Sequence, residues 1–215
     1  MNEKFLKLNP EKQEQILKAI CEEFTEHSFD DASTNRIVEK AGISKGTLFN
    51  YFGCKEAMYH SLLYYAIDFF KAHEIKEFQT GDFIERCRIL AELDMHIYQK
   101  APYMMNFLAA MYVGDKMHLP ADITETFHIG LKEALERLYA GVDYDLFRKD
   151  VDATILMRMI RYTFDGYIKE ITAEIEQLGL ASEKFDDYIA DYEVFLGEMK
   201  KIYYNEEVAL NVAEF

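Results

Sequence analysis

The sequence is short of the residues that break helices, staple folds or ligate metals. Its 215 residues include 3 Pro and 10 Gly, set among many Glu, Lys, Leu, Ala and Met. That balance excludes the turn-rich pattern of an all-β sandwich and favours long helices, so an all-α fold is expected. Cys21, Cys54 and Cys87 are an odd set with no C-x-x-C pair to chelate zinc or run thiol exchange, and they suit a reducing cytoplasm. No run approaches the roughly 18 uncharged apolar residues that a membrane span requires, and the opening MNEKFLKLNPEKQEQ has no apolar signal-peptide core. A soluble, unexported, cytoplasmic protein without a membrane partner is expected.

Signatures of catalysis are missing as well. There is no G-x-S-x-G, no P-loop and no G-x-G-x-x-G, and Glu92 and Asp94 read as a solvated helix face. His27, His60, His73, His96, His118 and His128 include neither H-E-x-x-H nor an i,i+4 pair. No catalytic residue, metal site or cofactor is expected, and the chain is not expected to be an enzyme.

Positive charge is scarce too. Twenty-four basic side chains against 39 acidic ones give a net charge of −15, which over the whole chain argues against a nucleic-acid partner. Apolar content, by contrast, is high: half the residues are hydrophobic, with 15 Tyr and 16 Phe, which excludes a disordered chain. The length allows one large domain or two smaller ones, and favours two.

Asn9 followed by Pro10 reads as an N-cap with proline at the first helical position. The helix it opens should run to about His27, with Ile16, Leu17, Ile20, Cys21 and Phe24 as its apolar stripe. Ser33 or a neighbour can cap a short helix through Ile37, Val38 and Ala41, with Gly42 as its left-handed exit, and Ser44 can cap another over residues 45–51. Two helices joined by a short Gly-containing turn have the spacing of a helix-turn-helix, whose second helix can lie in a DNA major groove.

Residues 55–78 read as a long helix, apolar on nearly all sides, of the kind that connects two domains. Further helices are expected over 82–100, from Pro102 through a Met- and aromatic-rich stretch, and over 123–139, 151–178 and 182–205. GDKMHLPAD reads as a loop, Leu-Gly-Leu-Ala-Ser as a stop-and-cap signal, and NEEVALNVAEF as a frayed tail. No internal repeat or low-complexity segment is present.

Dividing the charge at Lys55 reverses what the whole-chain sum suggests. Residues 1–55 hold eight Lys or Arg and nine Asp or Glu, a net of −1, so −14 lies beyond them. Arg36, Lys40, Lys45 and Lys55 fall at the helix-turn-helix, with Ser33, Thr34, Asn35, Thr47, Asn50 and Tyr51 as further hydrogen-bonding groups. Such side chains, and helix N-termini, bond phosphate oxygens. On the second helix Gly46 allows close backbone approach, Thr47 and Phe49 suit a thymine methyl, and Lys45 or Asn50 suits guanine or adenine.

These residues carry a resemblance. SFDDASTNRIVEKAGISKGTLFNYFGCKEAMY is similar to the N-terminal DNA-binding segment of the TetR family, the tetracycline-repressor-like bacterial regulators. The likeness spans about residues 10–60 and is most specific at Ala41, Gly42, Ile43, Ser44, then Gly46, Thr47, Leu48, Phe49, then Tyr51, Phe52, and Lys55, Glu56. It implies an all-α homodimer with a three-helix DNA-binding domain over 1–54 and a helical ligand-binding and dimerisation domain over 55–215, of which 55–78 is the connecting helix. The function implied is a sequence-specific repressor on a palindromic operator in double-stranded DNA, released by a small-molecule effector. Carried over by position, Ser33, Thr34, Tyr51 and Lys55 would contact the DNA backbone. Asn35, Lys45, Gly46, Thr47, Phe49 and Asn50 would face the groove, and Leu48 and Phe52 would sit in the small domain's core.

Two positions depart from the family's pattern. Phe49 stands where Tyr is usual, which leaves apolar contact and no hydroxyl. Cys54 stands where Ser, Asn or Asp commonly caps the next helix, and reads either as a tolerated small residue or as a reactive thiol at a helix N-terminus beside Lys55.

Beyond the reader segment, Tyr98, Tyr103, Met104, Phe107 and Met111 suit a lipophilic ligand, and an ordinary core uses the same residues. Tyr162 and Asp165 join the ligand candidates, Asp165 meeting a ligand cation, Arg158 or Arg161, or a partner subunit. Ile155, Met159, Tyr188, Tyr192, Phe195 and Met199 are the candidate dimer interface, since two helices from each subunit would make a four-helix contact. The acidic body tilts the effector toward a lipophilic cation. The rival reading is a DNA-bound scaffold whose C-terminal domain recruits a protein partner without any small-molecule effector.

Overall fold

The computed structural model describes residues 1–113, 119–178 and 185–208. Most of GDKMHLPAD, the Leu-Gly-Leu-Ala-Ser signal after Leu178 and the last seven residues of the tail lie outside these, as does the side chain of Tyr188. The described residues form helices with no strand among them, apart from one isolated bridge between Phe147 and Tyr204. None of the helices is long and apolar enough to cross a membrane.

A short helix α1 (Glu3–Leu6) precedes everything the sequence periodicity could reveal; Asn2 caps it, and Phe5 is its buried residue. Then α2 (Pro10–Glu26) starts as expected, with Asn9 Oδ1 accepting from Lys12 N at 2.8 Å. Ser33 caps α3 (Thr34–Ala41) and Ser44 caps α4 (Lys45–Phe52). Gly42 ends α3 at φ 58° and Gly53 ends α4 at φ 83°, left-handed backbone that side-chain-bearing residues rarely adopt.

Cys54 caps α5 (Lys55–His73) through its Sγ. That helix stops at His73, not Phe78, because the chain becomes extended at Glu74 and Phe78 packs with a different core. The remainder comprises α6 (Phe83–Lys100), α7 (Pro102–Val113), α8 (Ala121–Tyr139), a single 3-10 turn over Tyr144–Leu146, α9 (Ala153–Leu178) and α10 (Phe185–Tyr203).

Compactness divides the chain into two units. The first comprises Met1–Glu74 and His96–Ala134, the second Ile75–Met95 and Leu135–Phe215. The first unit therefore holds more than the helix-turn-helix: α7 packs along α2, and Met104, Phe107 and Met111 share a core with Ile16, Ile20, Leu48, Phe52 and Leu63. Compactness and the functional boundary expected at residue 54 are thus different divisions of the chain.

The second unit has its own core around Phe83, Ile84, Phe147, Ile160 and Leu196. Within it Arg86 is only 3% exposed and donates to four carbonyls: Thr80 O at 2.6 Å, Leu138 O at 2.8 Å, Ala140 O at 2.6 Å and Gly141 O at 3.1 Å. A helix C-terminus leaves its last carbonyls unpaired and carries partial negative charge. A buried guanidinium meets both needs at the end of α8.

The equivalent buried charge in the first unit is Glu23, with no exposed surface. Its Oε1 accepts from Ser33 N at 2.7 Å and from Arg36 Nη2 at 2.5 Å, and Arg36 Nε donates to both carboxylate oxygens at 2.9 and 3.1 Å. Burial pushes this carboxyl up, but the bonds from Arg36 and Ser33 N outweigh it and hold the group below its ordinary value of 4.5. A carboxylate whose folded-state value is lowered stabilises fully above the unfolded value, and that stability drains away as pH falls through the folded value. Unfolding measured across pH should therefore show Glu23→Gln less stable than wild type at neutral pH, with the gap closing below pH 4.5. A gap unchanged from neutral to acid pH would mean the ion pair contributes nothing.

Candidate nucleic-acid interface

The first unit offers one surface built like a reader. On α4, Leu48 and Phe52 are buried, and Lys45, Gly46 and Asn50 are exposed, with Phe49 half-buried beside them. By helical spacing Gly46 and Asn50 point furthest from the buried pair, while Lys45, seven residues before Phe52, and Phe49 flank it. Thr47 is tied back: its N–H donates to Ser44 Oγ at 3.0 Å, and the two hydroxyls lie 2.8 Å apart.

The N-terminus of α3 adjoins this face. Lys45 Nζ donates to Asn35 Oδ1 at 3.0 Å and lies 6.0 Å from the centre of the Phe49 ring. Ser33 and Thr34 are half-buried at the start of α3, where Ser33 Oγ accepts from Arg36 N. Arg36, basic in sequence, is engaged inward by Glu23 and also donates to Asp31 O at 2.9 Å. It acts as the strut that holds α3 on α2.

Lys55 Nζ donates to Asp30 O at 3.1 Å and sits 5.0 Å from the centre of the Phe29 ring. A lysine ammonium carries three donors, so two remain beyond that bond. Tyr51 is half-buried, its ring edge-on to Phe5 at 5.9 Å. Cys54 Sγ accepts from Ala57 N at 3.4 Å, so the thiol does the capping work that Ser, Asn or Asp does elsewhere.

Gly46 is informative for what does not surround it. A Cβ there would meet only Ser44 Oγ, at an ordinary 3.8 Å, so nothing inside the fold requires glycine. Glycine in a helix costs stability relative to alanine.

The sequence reasoning missed α1. Asn2 Nδ2 donates to Asn50 O at 2.6 Å and Lys4 Nζ to Asn50 Oδ1 at 2.9 Å, which joins α1 to the last turn of α4. Four helical residues are too few for any periodicity. The only signal was Asn2 as a cap ahead of the apolar Phe5.

The other expected sites fare differently. Tyr98, Tyr103, Met104, Phe107 and Met111 belong to the first unit, Tyr162 and Asp165 to the second. Met104, Phe107 and Met111 are 1%, 0% and 2% exposed and pack in the core that α7 shares with α2, so the ordinary-core reading fits them. Of the dimer candidates, Ile155 and Met159 are exposed, with Tyr162 continuing their row along α9. Tyr192 and Met199 are buried inside the second unit's own core, where Tyr192 stacks on Tyr167. Phe195 is half-buried and stacks on Tyr167 at 4.6 Å.

Residues 16–62 match the family described as bacterial regulatory proteins, tetR family. A TetR family transcriptional regulator from Chloroflexus aurantiacus J-10-FL is similar in fold, with a TM-score of 0.63 and 21% identity over 95% of this chain and 99% of that one. A putative transcriptional regulator from Streptomyces coelicolor aligns at a TM-score of 0.47 and 18% identity over 89% of this chain and 98% of that one. No curated protein matches the sequence.

Gly46 gives a direct check. Gly46→Ala should raise thermal stability slightly, by about 0.5 kcal/mol, and at the same time weaken duplex binding in a titration by fluorescence anisotropy. Unchanged binding would remove close backbone approach from the account.

Proposed function

We propose a mode of action for this chain, which by its residues 16–62 is a DNA-binding regulator of the tetR family: a homodimeric repressor that reads a palindromic operator and is released by a small-molecule effector. The observation that carries the DNA-reading part is the exposed face of α4, Lys45, Gly46, Phe49 and Asn50, on a helix anchored from behind by Leu48 and Phe52. Ser33, Thr34, Tyr51 and Lys55 flank it as backbone contacts, and Asn35 and Thr47 complete the groove-facing set.

Dimerisation is supported by the apolar row Ile155, Met159 and Tyr162, exposed by 51%, 47% and 59%. Their i, i+4, i+7 spacing puts them on one face of α9, and on α10 Val194 and Ile202 are also exposed. A symmetric contact through such a face would hold two recognition helices about 34–36 Å apart, one turn of duplex.

Release by an effector is linkage. A ligand that binds better to the conformation with misplaced recognition helices weakens operator binding by the ratio of its two affinities. A cationic ligand is favoured by the −14 carried beyond residue 55.

Genome-wide mapping of bound sites would supply operator duplexes for binding titrations. Lys45→Ala should change which bases are tolerated, by roughly five- to a hundredfold at the affected position. Lys55→Ala should weaken all sequences alike and flatten the dependence of affinity on salt; an unchanged slope would remove it from the phosphate contacts. Ligands suggested by the regulated neighbours should lower operator affinity while sedimentation still shows a dimer. Ligand-driven monomerisation would contradict the linkage.

A further inference from the structure

The contact between α1 and α4 lies outside residues 16–62, the segment matched by the tetR family, on its α1 side. Phe5 is 1% exposed, and its ring lies 5.1 Å from that of Phe52 on the buried side of α4. Asn2 grips the same helix from its end, with Asn2 N donating to Tyr51 O at 3.3 Å and Asn2 Nδ2 to Asn50 O at 2.6 Å. Gln13 Nε2 on α2 donates to Leu6 O at 3.1 Å and Leu8 O at 2.8 Å, which fixes the link that follows α1. Lys4 is therefore held in place by its neighbours on both sides, and its Nζ reaches Asn50 Oδ1 at 2.9 Å.

The chemistry of this pair sets the orientation of the Asn50 amide. A lysine ammonium has donors only, so the asparagine must meet it with Oδ1, and Nδ2 is turned away. A bidentate grip on adenine uses both ends of the amide, Nδ2 donating to N7 and Oδ1 accepting from N6. Oδ1 keeps a second lone pair, but the Lys4 ammonium beside it crowds and repels the N6 amino donor of adenine, so the amide is best met through its Nδ2 donor by the acceptors of guanine (N7 and O6) or of thymine (O4).

We propose that Lys4 is a specificity-determining positioning residue, which orients the Asn50 amide so that the end of α4 reads an acceptor-bearing base, guanine or thymine, in each half-site. The inference rests on the DNA-reading function proposed above. Lys4 acts through Asn50 and needs no base contact of its own.

The test selects sequences from a randomised duplex library with the full-length wild type, K4M, K4R, N50A and the K4M/N50A double variant, and records a thermal unfolding curve for each. The wild type should enrich guanine or thymine at one position of each half-site. K4M should admit adenine there about tenfold more readily, and K4R, which is also donor-only, should keep the wild-type preference. In the N50A background, K4M should change nothing further at that position. A K4M profile identical to wild type overturns the inference. A uniform loss across all sequences with a flatter salt dependence also overturns it, since that marks a phosphate contact, and so does a K4M effect that persists without Asn50. A wild type that enriches no sequence overturns the regulator reading and this inference with it, whereas enrichment with an unaltered K4M profile overturns this inference alone.

Discussion

A carboxylate with no exposed surface persists in a folded chain only when its oxygens are fully bonded, and Glu23 meets that condition by reaching from α2 to the start of α3. One oxygen takes the Ser33 N–H and the Arg36 guanidinium together, so the cap of α3 and a residue in its first turn are fixed to the same point. From there the left-handed Gly42 and the Ser44 cap leave α4 little freedom of direction. The placement of α3 and, through it, of α4 thus depends on the Glu23 and Arg36 pair. Arg36, which looks in sequence like a phosphate ligand, has its guanidinium committed to that pair.

The reader segment was legible because each of its helices is bounded by local chemistry. Asn9 with Pro10, Ser33, Gly42 and Ser44 act through neighbours within a few residues, so their roles could be assigned without tertiary information. Features that depend on distant partners were not legible. The apolar run after Lys55 looked like one helix to Phe78, yet Phe78 and the α5 residues serve separate cores. Met104, Phe107 and Met111 have the composition of a ligand pocket and the surroundings of a core, and only their packing beside α2 decides between the two. Tyr192 and Met199 sit on the expected α10 stripe and pack in the chain's own second core. Arg86 gave no sign that it would be buried, since the four carbonyls it serves lie up to 55 residues away.

Charge shows the same separation of scales. The net −15 describes the chain as a whole and misdescribes its surface: the segment that reads DNA carries −1, and its lysines stand at defined places around α3 and α4. Two of them, Lys4 and Lys45, turn an asparagine Oδ1 toward themselves. Each of these two lysines therefore fixes which end of an amide faces it. Such roles are invisible to a charge count, which registers only that the positive groups are few. An acidic remainder should also discourage sequence-independent association, leaving contacts at the reader face to set affinity.

The central claim is that α3 and α4, held by the Glu23 and Arg36 pair, form the surface that meets the duplex. Hydrogen–deuterium exchange on the full chain, with and without the duplexes it binds in cells, tests this most directly. The account predicts that DNA slows exchange over residues 33–35 and 45–51. Protection confined to α9 and α10, or absent altogether, would contradict it.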